Sequence, residues 1–364
     1  VDLLALIVLA QLVQLHRTAQ NRPFVPPEFD GNPPPRHGML EPKRCQRVFM
    51  IYRRLGKTGL NVSLLSFGTG GPRKFGQNMQ MGLDGQRRLV KRALELGINL
   101  FDTARGYGES EAILGECLRG VPRDTYHIIT KWWMDDNGKL ALKDPEELVS
   151  AVNDSLRLLK TDYIDVFQFH GAMPYQHRAI VEHYYPVVDK MRQEGKVRFT
   201  GFSTRFVDDF PQEGALFFLK EDPSLWDTVM LKYGILNQRA AKEILPLALE
   251  HDVGVVNMAA ARIRLPNPDK LEETISEWKQ HGYIETDALP VKNPLGWLVQ
   301  DGVESVVAAG YKFAADHPGI ATVLTGTSDI EHLEENVRAM ENPVLDSDNT
   351  RRLVELFGEI VEYA

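Results

Sequence analysis

Four polar residues close apolar runs in this chain. Asp102 follows Asn99-Leu100-Phe101, Lys131 follows His127-Ile128-Ile129-Thr130, His170 ends the run from Asp165, and Ser203 ends the run from Arg198. Tyr107 lies shortly after Asp102, between Gly106 and Gly108. A carboxylate and an ammonium at the depth of a strand end must be paired or they neutralise, so Asp102 and Lys131 are natural partners. An ammonium beside a tyrosine hydroxyl stabilises the phenolate and lowers its pKa toward working pH. A tyrosine so placed can give a proton to a substrate oxygen or take one from it. Singly, each residue has an ordinary explanation: a satisfied rim histidine, a structural ion pair, a capped turn. The one strand-end histidine has no carboxylates in ligand spacing, so no metal is expected.

The elements that must position these groups read as strands alternating with helices. Residues 52–63 form two short extended pieces about a glycine-containing turn, a hairpin. Strands are expected at 63–71, 99–104, 127–133, 165–170, 198–204, 228–233, 254–260 and 321–326. Between them, residues 84–96 carry Leu89, Val90, Ala93 and Leu94 on one face, and Asp144-Pro145-Glu146-Glu147 opens a helix with an N-cap, a first-turn proline and two dipole-favoured carboxylates. Pro186 predicts a break in the helix that runs up to Gly195. A helix over 269–281 lies in the long segment 262–302, which contains Trp297 and is a candidate cap over a pocket. Leu353, Leu356, Phe357 and Ile360 mark a closing helix. This alternation is an α/β pattern and favours a (β/α)8 TIM barrel with an N-terminal β-hairpin, in which the polar strand ends share one rim. A Rossmann dinucleotide site is disfavoured, because Gly68-Thr69-Gly70-Gly71-Pro72-Arg73 lacks the final glycine of that fingerprint.

Charged residues make up 25% of the 364, with a net charge of −8, and leave no nucleic-acid footprint. Cys45 and Cys117 sit in unrelated contexts, which argues against a disulfide framework or thiolate site and for a reducing, cytoplasmic setting. The apolar run 3–15 holds Gln11 and Gln14, is too short to span a membrane and follows Asp2 rather than a basic segment, so a signal peptide or membrane partner is not expected. Pro23, Pro26, Pro27, Pro33, Pro34, Pro35 and Pro42 follow. Residues 1–49 therefore read as an extension and Pro-rich linker, disordered or untranslated with Met50 as the natural start, and 50–364 as a single barrel domain.

At residue level the chain resembles the aldo-keto reductase family. The resemblance rests on Met50 to Ser63, on Phe101-Asp102-Thr103-Ala104 with Tyr107-Gly108-Glu109-Ser110-Glu111, on Thr130-Lys131, Gln168-Phe169-His170 and Gly201-Phe202-Ser203. It implies a tetrad at the C-terminal rim of the barrel: Tyr107 as general acid in carbonyl reduction, Lys131 and Asp102 as its tuning pair, His170 as the orienter of the carbonyl. The activity implied is NAD(P)H-dependent reduction of a small-molecule aldehyde or ketone, or oxidation of the corresponding alcohol or sugar.

The segment Thr322 to Asn336 ends a strand and starts a helix, with Ser328 and Glu331 at capping-box spacing. Amides at such a terminus can receive a phosphate, although spacing alone is met by an ordinary capped helix. By resemblance this is where the family holds the cofactor's adenosine phosphate, which brings in Gly326, Thr327, Ser328 and His332, while Glu335-Asn336 meets the adenine. Ser203 and Thr204 would reach the nicotinamide carboxamide; Trp132 and Trp133, which follow Lys131, are candidates either to wall the substrate site or to pack in the core. NADP(H) is favoured by the family's habit, with NAD(H) the alternative. Thr204, Met230, Gly234 and the run Met258-Ala259-Ala260-Ala261 depart from common family residues. They motivate the rival reading, a cofactor-binding barrel of little or no activity that serves as a regulatory or binding subunit.

Overall fold

Apolar runs bounded by turns become barrel strands when both of their faces can be buried, and eight runs do so here. The computed structural model describes residues 49–135, 141–205 and 208–361. The expectations for residues 1–48 lie outside the described residues. β3 (Leu65–Gly68), β4 (Leu100–Asp102), β5 (His127–Trp132), β6 (Ile164–Phe169), β7 (Val197–Ser203), β8 (Thr228–Lys232), β9 (Gly254–Met258) and β10 (Thr322–Thr325) close a parallel barrel in the order β10-β3-β4-β5-β6-β7-β8-β9. Before it, β1 (Tyr52–Arg54) and β2 (Asn61–Ser63) pair antiparallel, Arg53 opposite Val62. The fold is the (β/α)8 barrel with N-terminal hairpin that the alternation predicts. The strand expected at 63–71 is divided: Ser63 ends the hairpin, the Leu64 amide turns back to the Ile51 carbonyl at 2.7 Å, and β3 starts at Leu65.

Inside the barrel, Leu100, Ile129, Val166, Met230 and Val256 pack with Leu55, Leu60 and Val62 of the hairpin. The hairpin thus plugs the barrel's N-terminal end, and each fully buried aliphatic side chain there contributes about 1.5–3 kcal/mol. Side chains alternate across a strand. The next residues on the same inward face, toward the C-terminal end, are Asp102, Lys131, Gln168 and Lys232. The core's own periodicity therefore aims polar groups at the mouth.

The helical layer follows local chemistry. Asp144 accepts from the Glu146 amide at 2.8 Å, and Glu147 accepts from the Asp144 amide at 3.1 Å, which caps Pro145–Leu159. Pro186 has no N–H to donate to the preceding turn; the chain runs as a π-helical segment Ile180–Tyr184 and restarts at Tyr185–Gln193 with the proline in its first turn. The helix Pro268–Gln280 lies within the long segment and Val306–Asp316 follows it, and the second has no amphipathic stripe in the sequence. Ala308 to Ala315 are all buried, so a helix surrounded by protein shows no polar face. The closing helix is Ser347–Phe357, with Ile360 buried just after its end. No helix among the described residues is long and apolar enough to cross a membrane.

Candidate active site

At the C-terminal ends of β4 and β5 the Asp102 carboxylate and Lys131 ammonium are buried against each other. Lys131 Nζ donates to Asp102 Oδ1 and, at 2.8 Å, to the Thr103 carbonyl. It also faces the Tyr107 side chain, 5.2 Å from that ring's centroid, and the two interact electrostatically. His170, just past the end of β6, meets the Tyr107 ring edge-on at 5.6 Å and stacks on Trp133 at 3.9 Å. The four residues singled out by their place at strand ends and loop are one contiguous group.

Tyr107 is aimed by its turn. The Arg105 amide bonds the Lys131 carbonyl at 3.1 Å and the Tyr107 amide the Ala104 carbonyl at 3.0 Å. Gly108 then adopts φ +65°, a conformation that side chains disfavour, and the helix Ser110–Cys117 begins. In the loop after the neighbouring β3, Gly70 leaves room for the ring: a Cβ there would stand 2.6 Å from Tyr107 Cε2.

Burial works against the Lys131 charge, but the Asp102 carboxylate and Tyr107 outweigh it and hold the ammonium above the ordinary lysine range. Burial also pushes the Tyr107 phenol up, and Lys131 only partly opposes it. This corrects the expected lowering: the cost of desolvating a phenolate exceeds the help the ammonium gives. His170 is held well below the ordinary histidine value by burial, with the Lys131 and Arg205 charges adding to it. Near neutral pH the site carries a protonated phenol and a neutral imidazole.

Several buried polar atoms at the same rim have no hydrogen-bond partner: Thr69 Oγ1, Thr103 Oγ1, Gln168 Oε1, His170 Nδ1 and Thr204 Oγ1. Native interiors rarely leave such atoms unsatisfied, and this cluster suits a polar ligand seated in the mouth. Ser203, at the end of β7, accepts from the Gly171 amide at 2.9 Å, next to Thr204. On the other side of the mouth, a Cβ built on Gly326 would meet only the Gly68 carbonyl, at 3.7 Å. The residues present fit a nicotinamide cofactor laid across this rim.

Other expected contacts are placed differently. The helix Ile330–Glu341 is capped by Asp329, which accepts from the Glu331 and His332 amides at 2.8 and 3.3 Å, and not by Ser328. Asp329 stands next to the first helical residue with a shorter reach to those amides, and they hold its carboxyl below the ordinary range. Two amides of that terminus are thus already engaged. Thr327 Oγ1 accepts from the Asp329 amide at 3.0 Å, and Asn336 Nδ2 donates to Thr325 Oγ1 at 3.0 Å, while His332 and Glu335 are exposed. Trp133 joins the tetrad, but Trp132 does not. Strand alternation turns Trp132 away from Lys131 to meet the Tyr184 ring edge-on at 5.6 Å.

Three residues at this rim escaped the reading of strand ends. Arg205 is buried, donates to Asp135 at 3.1 Å and lies over the Trp133 ring at 5.3 Å; its position directly after Ser203-Thr204 was the available signal. Lys232 is the buried last residue of β8, hidden in the sequence because the apolar pattern continues through Tyr233. Arg73 comes from the β3 loop to donate to Ser328 Oγ at 3.1 Å, a contact no local spacing announces.

The aldo/keto reductase family model matches residues 65–357. The chain belongs to this family. Aldo/keto reductases are oxidoreductases that use nicotinamide cofactors and act on small-molecule carbonyl compounds. This member is 28% identical over 317 residues to an oxidoreductase of Bacillus subtilis, covering 84% of this chain and 94% of that protein. It is 26% identical over 330 residues to the NADH-specific methylglyoxal reductase of Escherichia coli, covering 81% and 95% respectively. Among solved structures, an aldo-keto reductase from Bacillus halodurans in its holo form superposes with a TM-score of 0.62 at 27% identity, over 86% of this chain and 97% of that one.

Proposed function

We propose that this aldo/keto reductase reduces an aldehyde or ketone with NAD(P)H, or runs the reverse oxidation, with Tyr107 as the proton donor. The observation that carries the reading is the convergence of Asp102, Lys131, Tyr107 and His170 at one rim. The neutral His170 imidazole orients the carbonyl oxygen. Tyr107 passes its proton to that oxygen, Lys131 stabilises the phenolate left behind, and Asp102 holds the Lys131 charge in place. Trp133, stacked on His170, forms a wall for the substrate. The nicotinamide, when bound, supplies the hydride. A regulatory barrel without turnover has no use for a buried ion pair set against a tyrosine, and the complete group supports the enzyme. The test is turnover of a carbonyl panel with NADPH and NADH; no oxidation of either over the panel would defeat the reading.

Ser203 and Thr204 would hold the carboxamide, Gly326, Thr327, Ser328 and His332 the adenosine phosphate, and Glu335 with Asn336 the adenine. NADP(H) is our preferred cofactor, with NAD(H) the alternative. Asp329 spends two helix amides on its own carboxylate, so a 2′-phosphate needs a separate cation, and Arg73 beside Ser328 supports that role. Losing one charge-assisted hydrogen bond costs roughly 1.5–3 kcal/mol, so Arg73→Ala is expected to weaken NADPH binding about tenfold or more and NADH binding by less than about twofold. Fluorescence titration with both nucleotides measures this, and an equal loss for both contradicts the assignment.

The directions of the pKa shifts also set a pH profile. With His170 already neutral and the phenol raised, reductive kcat/KM is expected to be flat over about pH 6–8 and to fall only on the alkaline side, as Tyr107 loses its proton. An acid limb centred at the ordinary histidine value would show that His170 titrates normally.

A further inference from the structure

The loop between β3 and the helix Leu83–Glu95 is anchored in the core by Phe75, which is buried and meets Phe67 edge-on at 5.6 Å. The Phe75 carbonyl accepts from Gln86 at 2.9 Å. From this anchored base Gln77 reaches across to the tyrosine turn. Its Nε2 donates to the Tyr107 carbonyl at 3.2 Å and to Ser110 Oγ at 2.8 Å, and its Oε1 accepts from the Glu109 amide at 3.0 Å. One side-chain amide thus spends both donors and its acceptor on successive parts of a single turn. The fit is close: a Cβ on Gly108 would stand 2.8 Å from Gln77 Oε1.

We propose that Gln77 is a positioning residue for the proton donor, fixing the turn that aims the Tyr107 hydroxyl at Lys131. The proposal rests on the reading of Tyr107 as that donor. Gly106 and Gly108 leave the turn's backbone unusually free, and Ser110 Oγ, the turn's own hydroxyl, has one proton to share between the Tyr107 carbonyl at 2.9 Å and the Thr69 carbonyl at 3.2 Å. Gln77 ties the turn to a part of the chain anchored elsewhere. Misplacing a reacting group by about 1 Å can cost about 100-fold in rate.

The experiment combines kinetics with hydrogen exchange on the full chain. Gln77→Ala is expected to lower kcat about 10- to 100-fold with nicotinamide affinity changed less than about twofold, and to speed amide exchange around residues 107–110 about tenfold or more. Gln77→Glu keeps the acceptor for the Glu109 amide but sets a carboxylate oxygen against the Tyr107 carbonyl, so it is expected to restore none of the kcat lost in Gln77→Ala. In a Tyr107→Phe background Gln77→Ala should cost nothing further, whereas a general structural role would lower activity equally in both backgrounds. The proposal is overturned by an equal loss in both backgrounds, or by unchanged kcat and unchanged exchange in Gln77→Ala. Wild-type turnover in Tyr107→Phe alone would instead sink the proton-donor reading, and the exchange rates would still report whether Gln77 holds the turn.

Discussion

Tyr107→Phe is expected to cut carbonyl reduction by about 10²- to 10⁴-fold, the usual worth of a positioned general acid, while nicotinamide affinity stays within about twofold. The substitution is narrow. Phenylalanine keeps the ring that meets His170 edge-on and fills the space left by Gly70. Only the hydroxyl goes, and with it the group that interacts with the Lys131 charge and the proton proposed to neutralise the developing alkoxide. Single-turnover kinetics separate this step from product release. A rate within about threefold of wild type would mean that the proton comes from another group.

Lys131→Met carries the second large effect, because it strikes both chemistry and folding. Removing the ammonium leaves Asp102 buried beside a thioether, and breaking one side of a buried pair costs about 3–5 kcal/mol. The Thr103 carbonyl also loses its donor. The variant should therefore be inactive and unfold at lower denaturant concentration. Adding Asp102→Asn removes the stranded charge, and the double variant is expected to recover much of the stability and none of the turnover. Equilibrium urea unfolding with parallel assays resolves the two effects. If the double variant is as unstable as Lys131→Met, the destabilisation comes from lost packing instead of lost charge pairing.

The barrel was legible because its strands are short apolar runs with helices between them, and because strand ends carry their polar residues at the pattern's edge. Asp102, Lys131 and His170 stand out for that reason. Other features depend on three-dimensional choices that spacing leaves open. Trp132 and Trp133 look equivalent in sequence, yet alternation sends one to the Tyr184 layer and the other to His170. Ser328 and Asp329 are both good caps, and the carboxylate took the amides. The helix Val306–Asp316 shows no stripe because it is buried all round. The phenol's upward shift could not be read from its neighbour's charge alone, since burial sets the larger contribution. Arg73 and Gln77 lie in a glycine-rich loop whose partners are remote in the chain.

The hairpin plug has a bearing on traffic through the enzyme. With Leu55, Leu60 and Val62 packed into the N-terminal end of the barrel, the described residues leave the Lys131–Tyr107 pair facing the C-terminal rim. Under the proposed mechanism, substrate, product and the proton that restores Tyr107 would all pass that rim. An effect of solvent viscosity on turnover would then report on passage through that rim, and an effect of deuterated water on the proton transfer at Tyr107.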